Sequence, residues 1–142
     1  IVFGLAGTMT VTAYQDRQSA IAARNLAAVQ GGLMKALEMV AIERGSDNGA
    51  LLDDKIYDPQ SDFITRARRN SDDALGTVLA LAREANHRAI DMAKIEAVQK
   101  TMQDWRKRVD PAISRPRAER PADVVREYSP PSRVPIATLP RR

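Results

Sequence analysis

The sequence predicts an all-α protein, an up-down antiparallel helical bundle with three long helices and a short or broken fourth. Hydrophobic residues make up 44% of the chain but aromatic residues only 4%, which suits aliphatic helix packing better than alternating strands. Apolar residues also recur at steps of three and four along three long segments, the spacing of one helical face. With 142 residues, the chain is long enough for one domain with a hydrophobic core.

Helix 1 is expected from about residue 12 to Arg44, because this segment lacks proline and carries a regular apolar stripe. The stripe consists of Leu26, Val29, Leu33, Leu37 and Val40. The pair Gly31-Gly32 costs about 1 kcal/mol per glycine relative to alanine. It indicates a bend, a close approach of a neighbouring helix, or simply a tolerated weak point. Gly45 is expected to close the helix in the left-handed conformation.

Residues 45–60 are expected to form a corner between helices 1 and 2. They contain two glycines, one proline and five Asp or Asn residues, a composition typical of turns. One short helical turn is expected at Asn48 to Asp53, with Asp47 or Asn48 as its N-cap.

Helix 2 is expected to begin at Ser61 or Asp62 and to end near Asn86-His87. Its predicted buried stripe is Ile64, Ala67, Ser71, Leu75, Val78 and Ala82, widened by Leu79 and Leu81. Because the Asn86-His87 region contains neither glycine nor proline, a single bent helix over residues 62–109 is the alternative.

Helix 3 has a heptad pattern that is expected to face the core and to end at Pro111, which lacks an amide and clashes with the preceding turn. The pattern consists of Ile95, Val98, Met102, Trp105 and Val109. Seven of the eight prolines follow in residues 111–142. The best remaining helical piece is Ala122 to Tyr128, with Val124, Val125 and Tyr128 as its apolar contacts.

The expected domain organisation has three parts: the end of a possible transmembrane helix at residues 1–14, the bundle at 15–128, and a Pro/Arg-rich tail at 129–142. Residues 1–15 carry no charge, but they are fewer than the roughly 20 residues that a transmembrane helix needs. They are either the outer end of such a helix or an ordinary apolar helix start. The tail is expected to be extended.

The net charge of +4 comes entirely from the end of the chain. Residues 1–110 carry 15 Lys or Arg and 15 Asp or Glu, whereas residues 111–142 carry seven Arg and three acidic residues. A DNA-binding face would cluster basic residues on a recognition element, so we expect no nucleic-acid partner. The chain has no cysteine, which excludes disulfides and thiolate metal ligands.

Three arginines and one asparagine are candidate ligand-binding residues: Arg44, Arg68, Arg106 and Asn48. Arg44 continues the stripe of helix 1, so its guanidinium is expected to point inward, where it needs a partner. The partner is either a carboxylate such as Asp72 or Asp73, or a small anionic ligand held by the guanidinium fork.

Arg68 lies on the inner face of helix 2, and the same two alternatives apply to it. Arg106 lies at the edge of the helix 3 core, where a cation also interacts favourably with the carbonyl end of the helix.

No catalytic chemistry is predicted. No nucleophile elbow, zinc-protease, P-loop or paired-carboxylate motif occurs, so the chain is expected not to be an enzyme and to need no cofactor. His87 is the only histidine, and it is interpreted as a surface residue rather than a metal ligand. Trp105 is interpreted as a core residue.

Several short motifs resemble a known class of sensor. They are E-R-G-x-x-N-x-x-L at Glu43 to Leu51, the segment Arg68 to Asp73, W-R-x-R-V-D at Trp105 to Asp110, and P-x-x-x-R at Pro116 to Arg120. In this order they resemble the extracytoplasmic four-helix-bundle sensor domains of bacterial chemotaxis receptors, sensor histidine kinases and diguanylate cyclases. The E-R-G segment is also similar to that of nitrate- and nitrite-sensing helical domains.

The resemblance implies a noncatalytic, periplasmic sensor of an inner-membrane signalling protein, tethered to the membrane and homodimeric. It would transmit the binding of a small anion as a helix displacement, with Arg44 and its neighbours on facing helices as contacts. The sequence departs from the family at Pro130, Pro131, Pro135 and Pro140, where a fourth long helix would continue.

A second functional hypothesis is a helical interaction module. Its basic Pro/Arg-rich tail would dock on an acidic partner or an anionic membrane surface.

Overall fold

The computed structural model describes the backbone of residues 2–86 and 90–128, and the side chains from residue 14 onward within these ranges, except that of Tyr128. The all-α class is confirmed, because these residues form helices and no strand. The helices are α1 (Val2–Leu52), α2 (Asp62–Ala85), α3 (Met92–Ile113) and the short α4 (Ala122–Tyr128), with a 3-10 turn at Arg117–Glu119.

The chain divides into two compact units, and each unit contains a segment of every long helix. Unit 1 comprises Ile1–Met39 and Asn70–Gln99, and unit 2 comprises Val40–Arg69 and Lys100–Arg142. Unit 2 holds an apolar cluster in which all three long helices and α4 take part. Its buried members are Ala50, Leu51, Ile64, Trp105, Val109, Ala112, Ile113 and Val124.

The predicted corner at residues 45–60 is wrong in its first half, because α1 continues as a helix through Gly45 and Gly49 to Leu52. Neither glycine has a positive φ. Their helical penalty of about 1 kcal/mol each is offset by the burial of Ala50 and Leu51 in the core of unit 2. The connection between α1 and α2 is therefore limited to residues 53–61.

The predicted inner face of α1 is only partly correct, because the buried face is rotated relative to the predicted stripe and leaves Leu26 and Val40 half-buried. Val29 is buried as predicted, but Leu33 and Leu37 are exposed. The buried positions that follow are Ala36, Glu43, Asp47, Ala50 and Leu51. The apolar stripe fails as a guide here because two carboxylates occupy the inner face. Arg44, expected to point inward, is consequently exposed.

In α2 the predicted stripe is confirmed, since all six of its members are buried. The turn near Asn86 is also confirmed. Asn86 has a φ of 43°, and α3 begins separately at Met92, so the single bent helix is wrong. His87 lies outside the described residues.

At Gly32 a neighbouring helix approaches closely, which was one of the three alternatives for the glycine pair. A Cβ atom placed on Gly32 would lie 3.2 Å from side-chain atoms of both Val78 and Leu81, whereas one on Gly31 would meet nothing within 4 Å. Only the second glycine is therefore required by packing within unit 1.

In α3 four of the five predicted seam residues are buried, and Val98 is the exception with 41% exposure. The predicted stop at Pro111 is wrong, because α3 continues to Ile113. Ala112 and Ile113 are buried in the core of unit 2. Their burial offsets the loss of the one backbone hydrogen bond that proline, which has no amide N–H, cannot donate near the end of the helix.

The helix predicted at Ala122 to Tyr128 is confirmed as α4. Val124 is its buried anchor. The side chain of Tyr128 and the Pro/Arg-rich tail at 129–142 lie outside the described residues. Within the described part of the chain, no helix combines the length and apolar character needed to cross a membrane.

Candidate functional site

Unit 2 contains a group of polar side chains inside its helical core, here called the charge cluster. It consists of Glu43 and Asp47 from α1, Arg68 from α2, and Trp105, Arg106 and Asp110 from α3. Glu43 and Asp47 are four residues apart, so one helical face presents both carboxylates. Both are fully buried, so the free-energy cost of burying them depends on the groups with which they pair.

Glu43 is held by Arg106 in a two-pronged ion pair. Arg106 Nε donates to Glu43 Oε1 at 2.7 Å, and Arg106 Nη2 donates to Glu43 Oε2 at 2.9 Å. Nη2 also lies 3.4 Å from the backbone oxygen of Arg68, an acceptor on α2. Parallel hydrogen bonds of this kind fix both the distance and the orientation of the two groups.

Arg68 bridges the two remaining carboxylates. Its Nη1 donates to Asp110 Oδ2 at 3.1 Å and its Nη2 to Asp110 Oδ1 at 2.5 Å. The same Nη2 lies 3.4 Å from Asp47 Oδ1. Trp105 donates its indole N–H to Asp47 Oδ2 at 3.2 Å. One guanidinium therefore links all three long helices.

The charge cluster contains three carboxylates and two guanidinium groups, so it carries one excess negative charge when all are ionised. Burial raises the pKa of Asp47 above its ordinary value, and the nearby charge of Glu43 raises it further. Arg68 and the Trp105 hydrogen bond act in the opposite direction but do not cancel the effect. Asp47 therefore takes up a proton more readily than an aspartate in water does.

Burial alone would lower the pKa of Arg68, but hydrogen bonding to Asp110 and the charges of Asp47, Asp110 and Glu43 outweigh it and raise the pKa. The guanidinium therefore remains charged. It is a permanent cation in the core of unit 2.

A second polar feature of unit 2 is the guanidinium of Arg120, which is buried at the C-terminal end of α1. It donates hydrogen bonds to backbone oxygens of Ala50, Leu51, Asp53, Lys55 and Arg115. The last carbonyls of a helix lack intrahelical hydrogen-bond donors. The Arg120 side chain donates to two of them in α1, those of Ala50 and Leu51. Arg120 thus caps the C-terminal end of α1.

The structure brings two of the four predicted ligand-binding residues together. Arg68 and Arg106 both belong to the charge cluster, each paired with carboxylates. Asn48 is partly buried within α1, and its Oδ1 has no hydrogen-bond partner among the described residues. Arg44 is exposed, so its predicted inward orientation is wrong.

Sequence reasoning missed Glu43, Asp47, Asp110 and Arg120 as members of polar sites. The pair Glu43 and Asp47 had a detectable signal, because carboxylates at i and i+4 opposite inward arginines indicate pairing. Arg120 appeared only as the last residue of the P-x-x-x-R motif, and the motif does not indicate its partners, which are backbone carbonyls. Within residues 2–86 and 90–128, no set of three or more His, Cys, Asp or Glu residues is grouped to hold a metal ion.

Comparisons with known proteins find no matching family model, no matching curated protein and no matching solved structure.

Proposed function

We propose that this chain is a noncatalytic, ligand-sensing helical domain of a membrane signal-transduction protein, in which the charge cluster converts ligand binding into a helix displacement. The observation that carries the proposal is the buried pairing of Glu43, Asp47, Arg68, Arg106 and Asp110 across three helices.

Stability alone does not account for such a cluster. Buried ion pairs often contribute less than well-packed apolar residues of similar volume, because desolvation costs several kcal/mol per ion. Two-pronged pairs do, however, define the register of the helices that carry them, since their hydrogen bonds weaken steeply with distance and angle. A small shift of α1, α2 or α3 changes the pairing on all three helices.

The proposed ligand is a small oxyanion. Guanidinium forks suit planar and tetrahedral oxyanions, and the ligand would compete with Asp110 for Arg68. Asp110 is the most accessible of the three carboxylates, with a side-chain exposure of 33%, whereas Glu43 is fully enclosed. Exchange at Arg68 would remove the ion pair between Arg68 and Asp110 that links α2 to α3.

The proposal includes an extracytoplasmic location, a membrane tether and a homodimer. The uncharged residues 1–15 support the tether, because such a run is compatible with the outer end of a membrane helix. The exposed side chains of Leu33, Met34 and Leu37 on α1 support the dimer. A second copy of the chain would cover them in a symmetric contact.

The test is a thermal-shift screen of the purified chain against small anions, including nitrate, nitrite and short carboxylates, at constant ionic strength. Selective binding stabilises the folded state according to the ratio of ligand concentration to Kd, by about 2.7 kcal/mol at one hundred times Kd. We expect one anion to raise Tm above chloride. Equal Tm values for the whole panel would refute the proposed oxyanion ligand.

The variants Arg68→Lys and Arg44→Lys identify the binding group. Lysine keeps the charge but loses the bidentate fork, so Arg68→Lys should abolish the selective shift. Arg44→Lys alters an exposed position and serves as the matched control. Loss of the shift in both variants, or in the control alone, would argue against binding at Arg68.

A further inference from the structure

Unit 1 contains a cavity of about 390 Å³ between α1 and α2, built from residues that the charge cluster does not use. Four of its lining residues, Ile21, Arg24, Asn25 and Ala28, follow one another at helical spacing on α1. α2 contributes Leu81, Glu84 and Ala85. The volume lies within the range of small-molecule sites.

The cavity is lined by two opposite charges that do not pair with each other. Within the described parts of the chain, Arg24 and Glu84 make no ion pair or hydrogen bond, and Asn25 makes no side-chain hydrogen bond. By contrast, Arg83, the neighbour of Glu84 in the sequence, does form an ion pair, with Glu96. Arg24 and Glu84 line one space without forming an ion pair with each other.

The chemistry of the lining defines the ligand that would satisfy it. A guanidinium binds a carboxylate through parallel hydrogen bonds, and a carboxylate binds an ammonium group. The side chains of Ile21, Ala28, Leu81 and Ala85 offer apolar surface, which favours a hydrocarbon segment between the two charged groups. The carboxamide of Asn25 can donate or accept one further hydrogen bond.

We propose that this cavity binds a small zwitterion whose carboxylate and ammonium groups are separated by a short apolar chain. The carboxylate contacts Arg24 and the ammonium contacts Glu84. Both side chains are exposed, so a ligand with only one charge leaves the other protein group hydrated by water. A zwitterion pairs with both groups, and charge complementarity therefore favours it.

Isothermal titration of the full chain with ω-amino acids tests this proposal. The probes are β-alanine, 4-aminobutyrate and 6-aminohexanoate, which differ in the spacing of their charges, with butyrate and butylamine as single-charge controls. We expect one zwitterion to bind with a Kd about tenfold lower than either control, corresponding to about 1.4 kcal/mol. The proposal is wrong if none of the zwitterions binds, or if a single-charge control binds equally well.

Two substitutions test which side chain contacts which charged group of the ligand. Each is read from the change in preference for the zwitterion over a single-charge ligand, rather than from loss of binding alone. Arg24→Gln should remove the preference for the zwitterion over butylamine, and Glu84→Gln the preference over butyrate. Arg66→Gln and Asp73→Asn, at exposed positions outside the cavity, should preserve both preferences. A lining variant that keeps its preference, or a control that loses it, contradicts the assignment.

The proposal of a zwitterion site and the proposal of an oxyanion sensor can be refuted independently of each other. The zwitterion site depends on Arg24 and Glu84 and is measured with ω-amino acids. The oxyanion site depends on Arg68 and is measured with the anion panel. Either experiment can give a negative result without changing the other.

Discussion

At the scale of single residues, the partners of each buried polar group determine what the group contributes. Glu43 is fully buried but doubly bonded to Arg106. Asp47 is equally buried but lies farther from its cation, 3.4 Å from Arg68. The two carboxylates occupy the same face of α1, and they should respond differently to pH and to substitution.

The first prediction concerns the pH dependence that Asp47 confers. Its pKa is raised in the folded state, so the folded chain binds this proton more tightly than the unfolded chain does. The contribution of Asp47 to the free energy of unfolding therefore falls as pH rises from its unfolded pKa to its higher folded pKa. Asp47→Asn, which keeps an acceptor for Trp105, should remove this dependence.

Urea unfolding of the native chain and of Asp47→Asn across pH 4 to 8 measures the effect. The native chain should gain stability relative to the variant as pH falls. Asp53 and Asp104 have lowered pKa values and act in the opposite sense, but both are present in the two proteins and cancel in the difference. A constant difference at all pH values would show that Asp47 does not titrate in this way.

The second prediction concerns the buried pair of Glu43 and Arg106. Arg106→Met leaves Glu43 buried without its cation and should reduce the free energy of unfolding by about 3–5 kcal/mol. The double variant Glu43→Leu/Arg106→Met removes both charges and should recover most of this loss. Chemical denaturation of the native chain and the two variants measures the loss and its recovery. A double variant no more stable than Arg106→Met would contradict the interpretation.

The third prediction concerns Arg120, whose guanidinium serves five backbone carbonyls. Arg120→Lys keeps the charge but cannot reach all of these acceptors, so we expect a loss of about 2–4 kcal/mol in the free energy of unfolding. The control is Arg117→Lys, because Arg117 forms an exposed pair with Asp54. Such pairs contribute about 0–1 kcal/mol. Similar losses in both variants would indicate that Arg120 has no special role as a cap.

At the scale of elements, α1 illustrates how tertiary contacts can extend a helix through residues that usually end one. Gly45 would close a helix only with a left-handed backbone, yet it lies in the middle of a regular turn. Buried residues on both sides, Glu43 and Asp47, are bonded to other helices of unit 2. The helix therefore continues until Arg120 takes up its final carbonyls.

The fourth prediction uses the glycines of α1 to test this continuity. At Gly45 a Cβ atom would meet nothing within 4 Å, so Gly45→Ala should stabilise the chain by about 1 kcal/mol. A left-handed residue at this position would instead make the substitution destabilising. Thermal unfolding decides between the two, and a fall in Tm for Gly45→Ala would contradict the continuous helix.

Gly31→Ala and Gly32→Ala form a matched pair for the same assay. Only the second places its Cβ at 3.2 Å from Val78 and Leu81, so Gly32→Ala should stabilise less than Gly31→Ala. Equal effects would indicate that α2 does not approach Gly32 as closely as the structure describes.

At the scale of the whole molecule, the proposed homodimer rests on exposed apolar side chains of α1. Met34 is 69% exposed and Leu37 is 62% exposed, one turn apart on α1, with Leu33 beside them. Single exposed apolar residues are ordinary, whereas grouped ones mark contact surfaces. The proposed homodimer would use this part of unit 1.

The fifth prediction is that the chain is dimeric and that Met34→Gln/Leu37→Gln makes it monomeric at micromolar concentration. Light scattering coupled to size-exclusion chromatography measures the mass. The control is Ile56→Gln/Phe63→Gln, which alters two equally exposed side chains of unit 2 and should leave the dimer intact. A monomeric native chain, or dissociation caused by the control alone, would refute this surface.

How well the sequence predicts each helix depends on how that helix is buried. The stripe of α2 was correct because aliphatic residues and one serine keep regular helical spacing along its inner face, and the charge on that face, Arg68, was itself predicted to point inward. In α1 the inner face includes two acidic residues, while Leu33 and Leu37 lie outside it, so apolar periodicity indicated the wrong side. The prediction of the candidate site contains the same error, because it placed the side chain of Arg44, rather than that of Glu43, on the inner face of α1.

Local spacing and composition were enough to predict the helical class, the inner face of α2, the limits of α4 and the absence of cysteine chemistry. The end of α1 and the choice of its buried face depend instead on contacts between helices. A carboxylate at position 43 can be buried only if a cation meets it, and that cation, Arg106, lies 63 residues away. Local propensity cannot anticipate such a partner, because the partner lies on another helix. The helical penalty of the glycines in α1 is also small beside the burial and ion pairing that offset it.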